Sequence, residues 1–275
     1  RLGLEGLSKA LPQWRAEAAW TDRARAEAAT WRSTVEAIAE RRELPKGQLP
    51  YDGEVIGAVQ RSSPKSTTDD IVVCAAGTLP AELHKLWRTS TPGGYHMEYG
   101  YSCMGYEIAG GLGVKMARPE REIIVMVGDG SYLMLNNEIA TSVMLDKKLI
   151  IVLLDNRGYG CINRLQQSCG GKPFNNMFED CLQFGEGAPD IDFAANAASL
   201  GARSEKVADI PELEAALRRA RAANRTYLIS INTDANRTTK EGGWWWEVAV
   251  PEESPSESVR QARAAYLRGK QNQKV

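Results

Sequence analysis

"EIIVMVGDG", residues 122–130, decides how the rest of the chain is read. Ile123 to Val127 are apolar without a break. A strand with no polar alternation must be buried on both faces. It runs straight into Gly128-Asp129-Gly130, a carboxylate held between two glycines. A second segment repeats the pattern: "LIIVLLDNRGYG" (149–160) is again apolar and ends at Asp155-Asn156-Arg157-Gly158. Between the two lies "NNEIATSVMLDKK" (136–148), with the spacing of a helix. Doubly buried strands that alternate with helices predict an α/β domain: a doubly wound, mainly parallel sheet with helices on both faces.

The same alternation continues outward. "IVVCAAG" (71–77) reads as a strand, followed by a helix in "TLPAELHKLW" (78–87). "MGYEIAGGLGVKMA" (104–117), "IDFAANAASLG" (191–201) and "IPELEAALRRARAA" (210–223) read as helices, and "TYLISINTD" (226–234) as a last strand. Residues 1–48 carry Trp14, Trp20 and Trp31 among Ala, Arg and Glu, which predicts one or two amphipathic helices. "LPKGQLPYDGE" (44–54) is a Pro/Gly break. The expected organisation is a helical segment and linker over 1–48, an α/β domain over 49–235, and a tail over 236–275 ending in a polar helix. Residues 161–189 show no clear periodicity, which predicts a mobile lid that orders over a ligand. The Trp244–Trp246 run predicts a docking face.

Composition narrows the function. Lys+Arg is 34 against Asp+Glu 35, a formal net charge of -1, so no basic field points to nucleic acid or an anionic membrane. No apolar run reaches the roughly 18 residues of a membrane span. The 5 cysteines are irregularly spaced and include no C-x-x-C, against a zinc site or disulfide framework. Reduced thiols and a cytoplasmic location are expected.

Ligands of doubly wound sheets bind at the carboxyl ends of the strands, where both polar clusters lie. Mg²⁺ takes oxygen ligands. Asp129, the Asn156 side-chain oxygen and a backbone carbonyl near Gly158 are the right atoms. Glycine lets a backbone approach a phosphate closely. Either cluster alone would read as an ordinary turn. Asn156, however, follows Asp129 by 27 residues, with one helix and one strand between.

This spacing resembles the two-part motif of thiamine diphosphate enzymes. The resemblance implies that Asp129, Asn156 and the carbonyl of Gly158 hold a Mg²⁺ that grips the diphosphate. Asp155 departs from the family's Asn at that position. "YSCMGYEIAGG" (101–111) resembles the cofactor loop of the acetolactate synthase and pyruvate decarboxylase superfamily. There Met104 would wedge under the cofactor and the Ser102 carbonyl would accept from its amino group. Cys103, Gly128, Gly130, Ser131, Tyr159 and Gly160 complete the implied cofactor site. "HMEYGYSCMGYE" (96–107) and "WWWEVAVPE" (244–252) resemble the ring-opening trihydroxycyclohexanedione hydrolases of inositol catabolism, a likeness covering most of 45–252. It implies hydrolysis of a C–C bond in a cyclic polyol diketone, with His96, Glu98 and Tyr159 as catalytic candidates and Tyr99 beside them. It also implies a homo-oligomer, dimer or tetramer. The activating Glu would come from a pyrimidine-binding domain of the same or a neighbouring chain, and 1–48 would be the end of a preceding central domain. Decarboxylation or carboligation of a 2-oxo acid, and a non-catalytic cofactor-binding subunit, are the alternatives.

Overall fold

The computed structural model describes residues 2–63, 70–89, 91–180, 189–242, 248–271 and 273. The chain forms two compact units, residues 1–38 and 39–275. The first holds helix α1 (Leu2–Ala10) and all but the last residue of helix α2 (Ala18–Ala39). Along α2, Arg23 pairs with Glu27 one turn later at 2.8 Å.

The second unit is built on six strands: β1 (Ile71–Cys74), β2 (Tyr95–Met97), β3 (Ile123–Gly128), β4 (Ile150–Asp155), β5 (Arg203–Val207) and β6 (Tyr227–Asn232). They lie in the order β2-β1-β3-β4-β6-β5, and every pairing is parallel. The helices in chain order are α3 (Asp52–Ser62), α4 (Thr78–Leu86), α5 (Tyr106–Ala117), α6 (Asp129–Met134), α7 (Glu138–Met144), α8 (Gly160–Ser168), α9 (Phe193–Ser199), α10 (Ile210–Ala222) and α11 (Glu257–Gln271). Alternate residues of the central strands feed opposite layers. Val125, Val127, Ile151 and Leu153 pack with Ile108 and Leu112 of α5, Ile139 of α7 and Phe193 of α9. Helix α10 packs against α3, and α3 against α4.

The α/β fold expected from the strands is the one observed, and its sheet is parallel throughout. Several elements escape the pattern, α3, β2 and β5 among them. Helix α3 starts inside the apparent Pro/Gly break, where Glu54 accepts the N–H of the N-cap Tyr51 at 2.9 Å; Gly53 leaves room for the Tyr51 ring, since a Cβ there would meet the tyrosine hydroxyl at 2.5 Å. Strands β2 and β5 are edges, one of three residues and one written "RSEKV". Edge strands need no apolar run.

Part of segment 161–189 has regular structure that the sequence pattern did not announce. Gly160–Ser168 is a helix, and beyond it Gly158 and Met177 form an antiparallel bridge. Residues 181–188, with Gly185, Gly187 and Cys181, lie outside the described residues, as does the Trp244–Trp246 run.

Candidate active site

The chain runs from β1 to β2 on one side, then crosses back to place β3 on the other side of β1. Such a reversal leaves a crevice at the carboxyl ends of the two strands. A cavity occupies it, walled by Gly77, Thr78 and Leu79 after β1, Gly128–Ser131 after β3, Asn156–Gly160 after β4 (without Arg157), and Met104 and Asp52 from either side.

The Gly-Asp-Gly segment is tighter than a turn. Helix α6 starts at Asp129 itself, with Gly128 as its extended N-cap. Asp129 is buried, and its Oδ2 accepts the Gly158 N–H at 2.7 Å. Burial, then the neighbouring Asp155 carboxylate, pushes the Asp129 carboxyl up to about 7. A Cβ on Gly130 would meet the Tyr159 ring at 2.5 Å, so the glycine gives that ring its seat. A Cβ on Gly128 or Gly77 would meet nothing within 4 Å. Both glycines leave their backbone open toward the crevice.

After β4, Asp155 stays buried, and its Oδ1 accepts the Arg157 N–H at 2.9 Å. The Arg157 guanidinium lies 3.8 Å from its other oxygen. Asp155 therefore shapes the turn that presents Asn156 and Gly158. Gly158 has φ 142 and lies so close to Asn176 and Met177 that a Cβ would strike the Asn176 carbonyl at 2.5 Å.

The Asn156 amide oxygen faces only acceptors. The same terminal position lies 2.7 Å from the Gly158 carbonyl oxygen and 3.3 Å from Asp129 Oδ1. Turned over, the amide would donate to both. The Asn156 amide, the Gly158 carbonyl and the Asp129 carboxylate thus meet at one point of the crevice, and a carboxamide oxygen, a carbonyl and a carboxylate are ligand types that a hard cation takes. Among the described residues no cluster of three His, Cys, Asp or Glu side chains could hold a metal. The donor set is instead one carboxylate, one carboxamide and one main-chain carbonyl, which fits Mg²⁺.

Met104 lines the same cavity, so one loop joins the metal candidates. Ser102 precedes it with a left-handed φ of 55, and Gly105 follows with φ 90. Ser102 and Cys103 are exposed on that loop and do not line the cavity. His96 is the middle residue of β2 and does not line the cavity; its Nε2 lies 2.6 Å from the Tyr106 hydroxyl and its ring is stacked on the tyrosine at 16°. Tyr99 is half exposed and packs edge-on against His84. Glu98 does not line the cavity, and its oxygens accept the N–H groups of Tyr101 and Cys103 at 3.1 and 2.7 Å.

Sequence reading missed Asp52, Thr78, Leu79, Cys161 and Ile162, all of which line the cavity. They carry no motif and come from segments that only the strand order assembles. Helix α8 is anchored there, since the Arg164 guanidinium donates to Thr78 Oγ1 and to the Ala235 carbonyl.

Residues 75–231 match the family model described as thiamine pyrophosphate enzyme, C-terminal TPP binding domain. Over 198 residues the chain is 44% identical to 3D-(3,5/4)-trihydroxycyclohexane-1,2-dione hydrolase 2 of Bacillus cereus, covering 70% of this chain and 31% of that protein. Over 196 residues it is 42% identical to the 3D-(3,5/4)-trihydroxycyclohexane-1,2-dione hydrolase of Halalkalibacterium halodurans, covering 70% and 30%. The chain thus spans less than a third of the length of these relatives. The fold is shared with thiamine diphosphate-dependent 4-hydroxybenzoylformate decarboxylase of Rhodococcus jostii, at TM-score 0.59 and 22% identity over 70% of this chain and 34% of that one. With this match added to the crevice geometry, the chain belongs to the thiamine pyrophosphate enzymes and carries their C-terminal TPP-binding domain.

Proposed function

We propose that this chain is the diphosphate-binding part of a hydrolase that opens a cyclic 1,2-diketone, the trihydroxycyclohexanedione, to 5-deoxy-glucuronate. The observation that carries the reading is the convergence of Asp129, Asn156 and the Gly158 carbonyl on one point of the crevice. The 42–44% identity to hydrolases named for that substrate selects the reaction among thiamine diphosphate chemistries.

Each group then has a task. Asp129, Asn156 and Gly158 hold Mg²⁺, which carries the diphosphate. Gly77, Gly128 and Gly130 allow the main chain close to it, and Ser131 lies beside them. Met104 sets the position of the reactive ring, with the Ser102 carbonyl and Cys103 on the same loop. Tyr159 and Gly160 close the floor of the crevice. When bound, thiamine diphosphate supplies the electron sink for breaking a bond beside a carbonyl. His96, its ring held by Tyr106, would hold or deliver a proton on the substrate side, and Tyr159 would orient a substrate hydroxyl. A pyrimidine-binding domain, of the same or a neighbouring subunit of a homo-oligomer, supplies the acid for the far ring.

The test offers the dione and, separately, pyruvate and benzoylformate to the chain. A pyrimidine-binding domain from one of the hydrolase relatives, Mg²⁺ and thiamine diphosphate are supplied with it. Ring opening without CO₂ release is expected. Release of CO₂ from a 2-oxo acid, with the dione untouched, would favour a decarboxylase instead.

A further inference from the structure

The loop 98–105 carries Met104 into the crevice, yet it has little to hold its shape. It has no regular structure, and Tyr101 at its tip is 91% exposed. Two left-handed residues, Ser102 and Gly105, bend it on either side of Met104. The non-glycine one is a conformation that neighbouring contacts must impose.

Those contacts come from two carboxylates, one at each end. Glu98 accepts the N–H groups of Tyr101 at 3.1 Å and of Cys103 at 2.7 Å. Glu107 accepts the Gly105 N–H at 3.1 Å. The main-chain donors of 101, 103 and 105, every second residue across the bend, therefore all end on glutamate oxygens. Glu107 also ties in the rest of the crevice. Ser131, two residues beyond Asp129, gives its hydroxyl proton to Glu107 at 2.8 Å and takes the Gly105 N–H at 2.7 Å. Glu107 is 1% exposed, and burial pushes its carboxyl up from the ordinary range. Among the described residues no cation pairs with it. A buried acid without a cationic partner is costly unless its oxygens are filled by donors. Here the donors come from the segments before α5 and after β3, both of which lie beside Met104.

We propose that Glu98 and Glu107 are positioning residues that brace this loop and thereby fix Met104 against the cofactor. Neither touches the ligand; each acts through the path of residues 101–105. The inference deepens the proposed function, since it rests on Met104 facing thiamine diphosphate. A glutamine at 107 cannot replace the acid, because its amide nitrogen is a donor facing donors. Glu98 stands at the surface end, so its removal leaves the buried core untouched.

The test has two arms on the full chain. The first needs no ligand: amide hydrogen exchange of Tyr101, Cys103 and Gly105, read by residue. In Glu98→Ala the first two amides should exchange about tenfold faster, and in Glu107→Gln the third, with the strands unchanged. Unchanged exchange in Glu98→Ala, which keeps the core intact, overturns the brace even if Glu107→Gln fails to fold. The second arm adds thiamine diphosphate and Mg²⁺. Affinity by calorimetry should stay near wild type in both variants, because the metal ligands are intact. The near-ultraviolet circular dichroism of the bound cofactor, which reports its ring geometry, should fall by about half, as in Met104→Ala. A wild-type signal in the brace variants, with Met104→Ala altered, overturns the positioning role. A wild-type chain that binds no cofactor counts against the proposed function, and the exchange arm still decides the brace.

Discussion

At the scale of the residue, the proposed function gives Met104 a task apart from holding the cofactor. The proposed diphosphate ligands lie on the segments after β3 and β4, and Met104 on a different loop. In the assembled enzyme Met104→Ala should therefore lower turnover far more than cofactor affinity. A misplacement of about 1 Å costs roughly 100-fold in rate. Steady-state kinetics beside a cofactor titration checks this, and normal turnover would reduce Met104 to core packing. Asp52 makes a pH-dependent prediction. It is buried beside the cavity, and burial first, then Glu82, pushes its carboxyl up to about 7. An unfolded aspartate titrates near 4. The folded chain holds the proton more tightly, so this contribution to stability is complete below about pH 4 and lost as pH rises through about 7. The loss is on the order of a few kcal/mol. Thermal melts of the metal-free chain should fall from pH 5 to pH 8, and Asp52→Asn should flatten that fall. Part of the slope would remain, since Asp129 is shifted in the same direction. Equal slopes in the two proteins would show that Asp52 titrates as it does unfolded.

At the scale of the element, what could be read from sequence depended on burial. Strands β1, β3, β4 and β6 are buried almost throughout, so each announced itself as an apolar run. Edge strands β2 and β5 carry half-exposed or charged residues and gave no such signal. The site divided the same way. Asp129 and Asn156 were legible because one helix and one strand fix their spacing. Asp52 and Thr78 were not, because β1 meets β3 only through a crossover that no local pattern encodes. Helix α8 was hidden by "CGGKPFNN" directly after it, though Arg164 pins it to Thr78. The segment beyond α8 is tied to the site by two main-chain bonds: Tyr159 N–H to the Asn176 carbonyl at 2.7 Å, and Phe178 N–H to the Arg157 carbonyl at 2.9 Å. Ligand held at Gly158 and Tyr159 should stabilise it. Chymotryptic cleavage after Phe174, which is 71% exposed, should slow when thiamine diphosphate and Mg²⁺ are added. The limit is about 100-fold at a cofactor concentration 100 times its dissociation constant. Equal rates with and without cofactor would mean that the segment opens independently of the site.

At the scale of the whole molecule, the crevice offers ligands for a metal and a diphosphate, and its rim is apolar. Tyr101 is 91% exposed, Met134 50% and Ile162 47%, on the loop and helices that form the crevice wall. Under the proposed function this rim meets the pyrimidine-binding domain, and the chain on its own should bind cofactor without turning over the dione. Ring opening by residues 1–275 alone at an ordinary rate, roughly 1 s⁻¹ or more, would place an activating acid within this chain. The central claim is that Asp129, Asn156 and Gly158 hold thiamine diphosphate through a cation. Calorimetric titration of the purified chain with thiamine diphosphate tests it, run with Mg²⁺ and with chelator, on wild type and Asp129→Ala. The account predicts Mg²⁺-dependent binding in the wild type and a loss of about 3–5 kcal/mol, a few hundred-fold or more, in the variant. Equal affinity in wild type and Asp129→Ala, or binding indifferent to the metal, would contradict it.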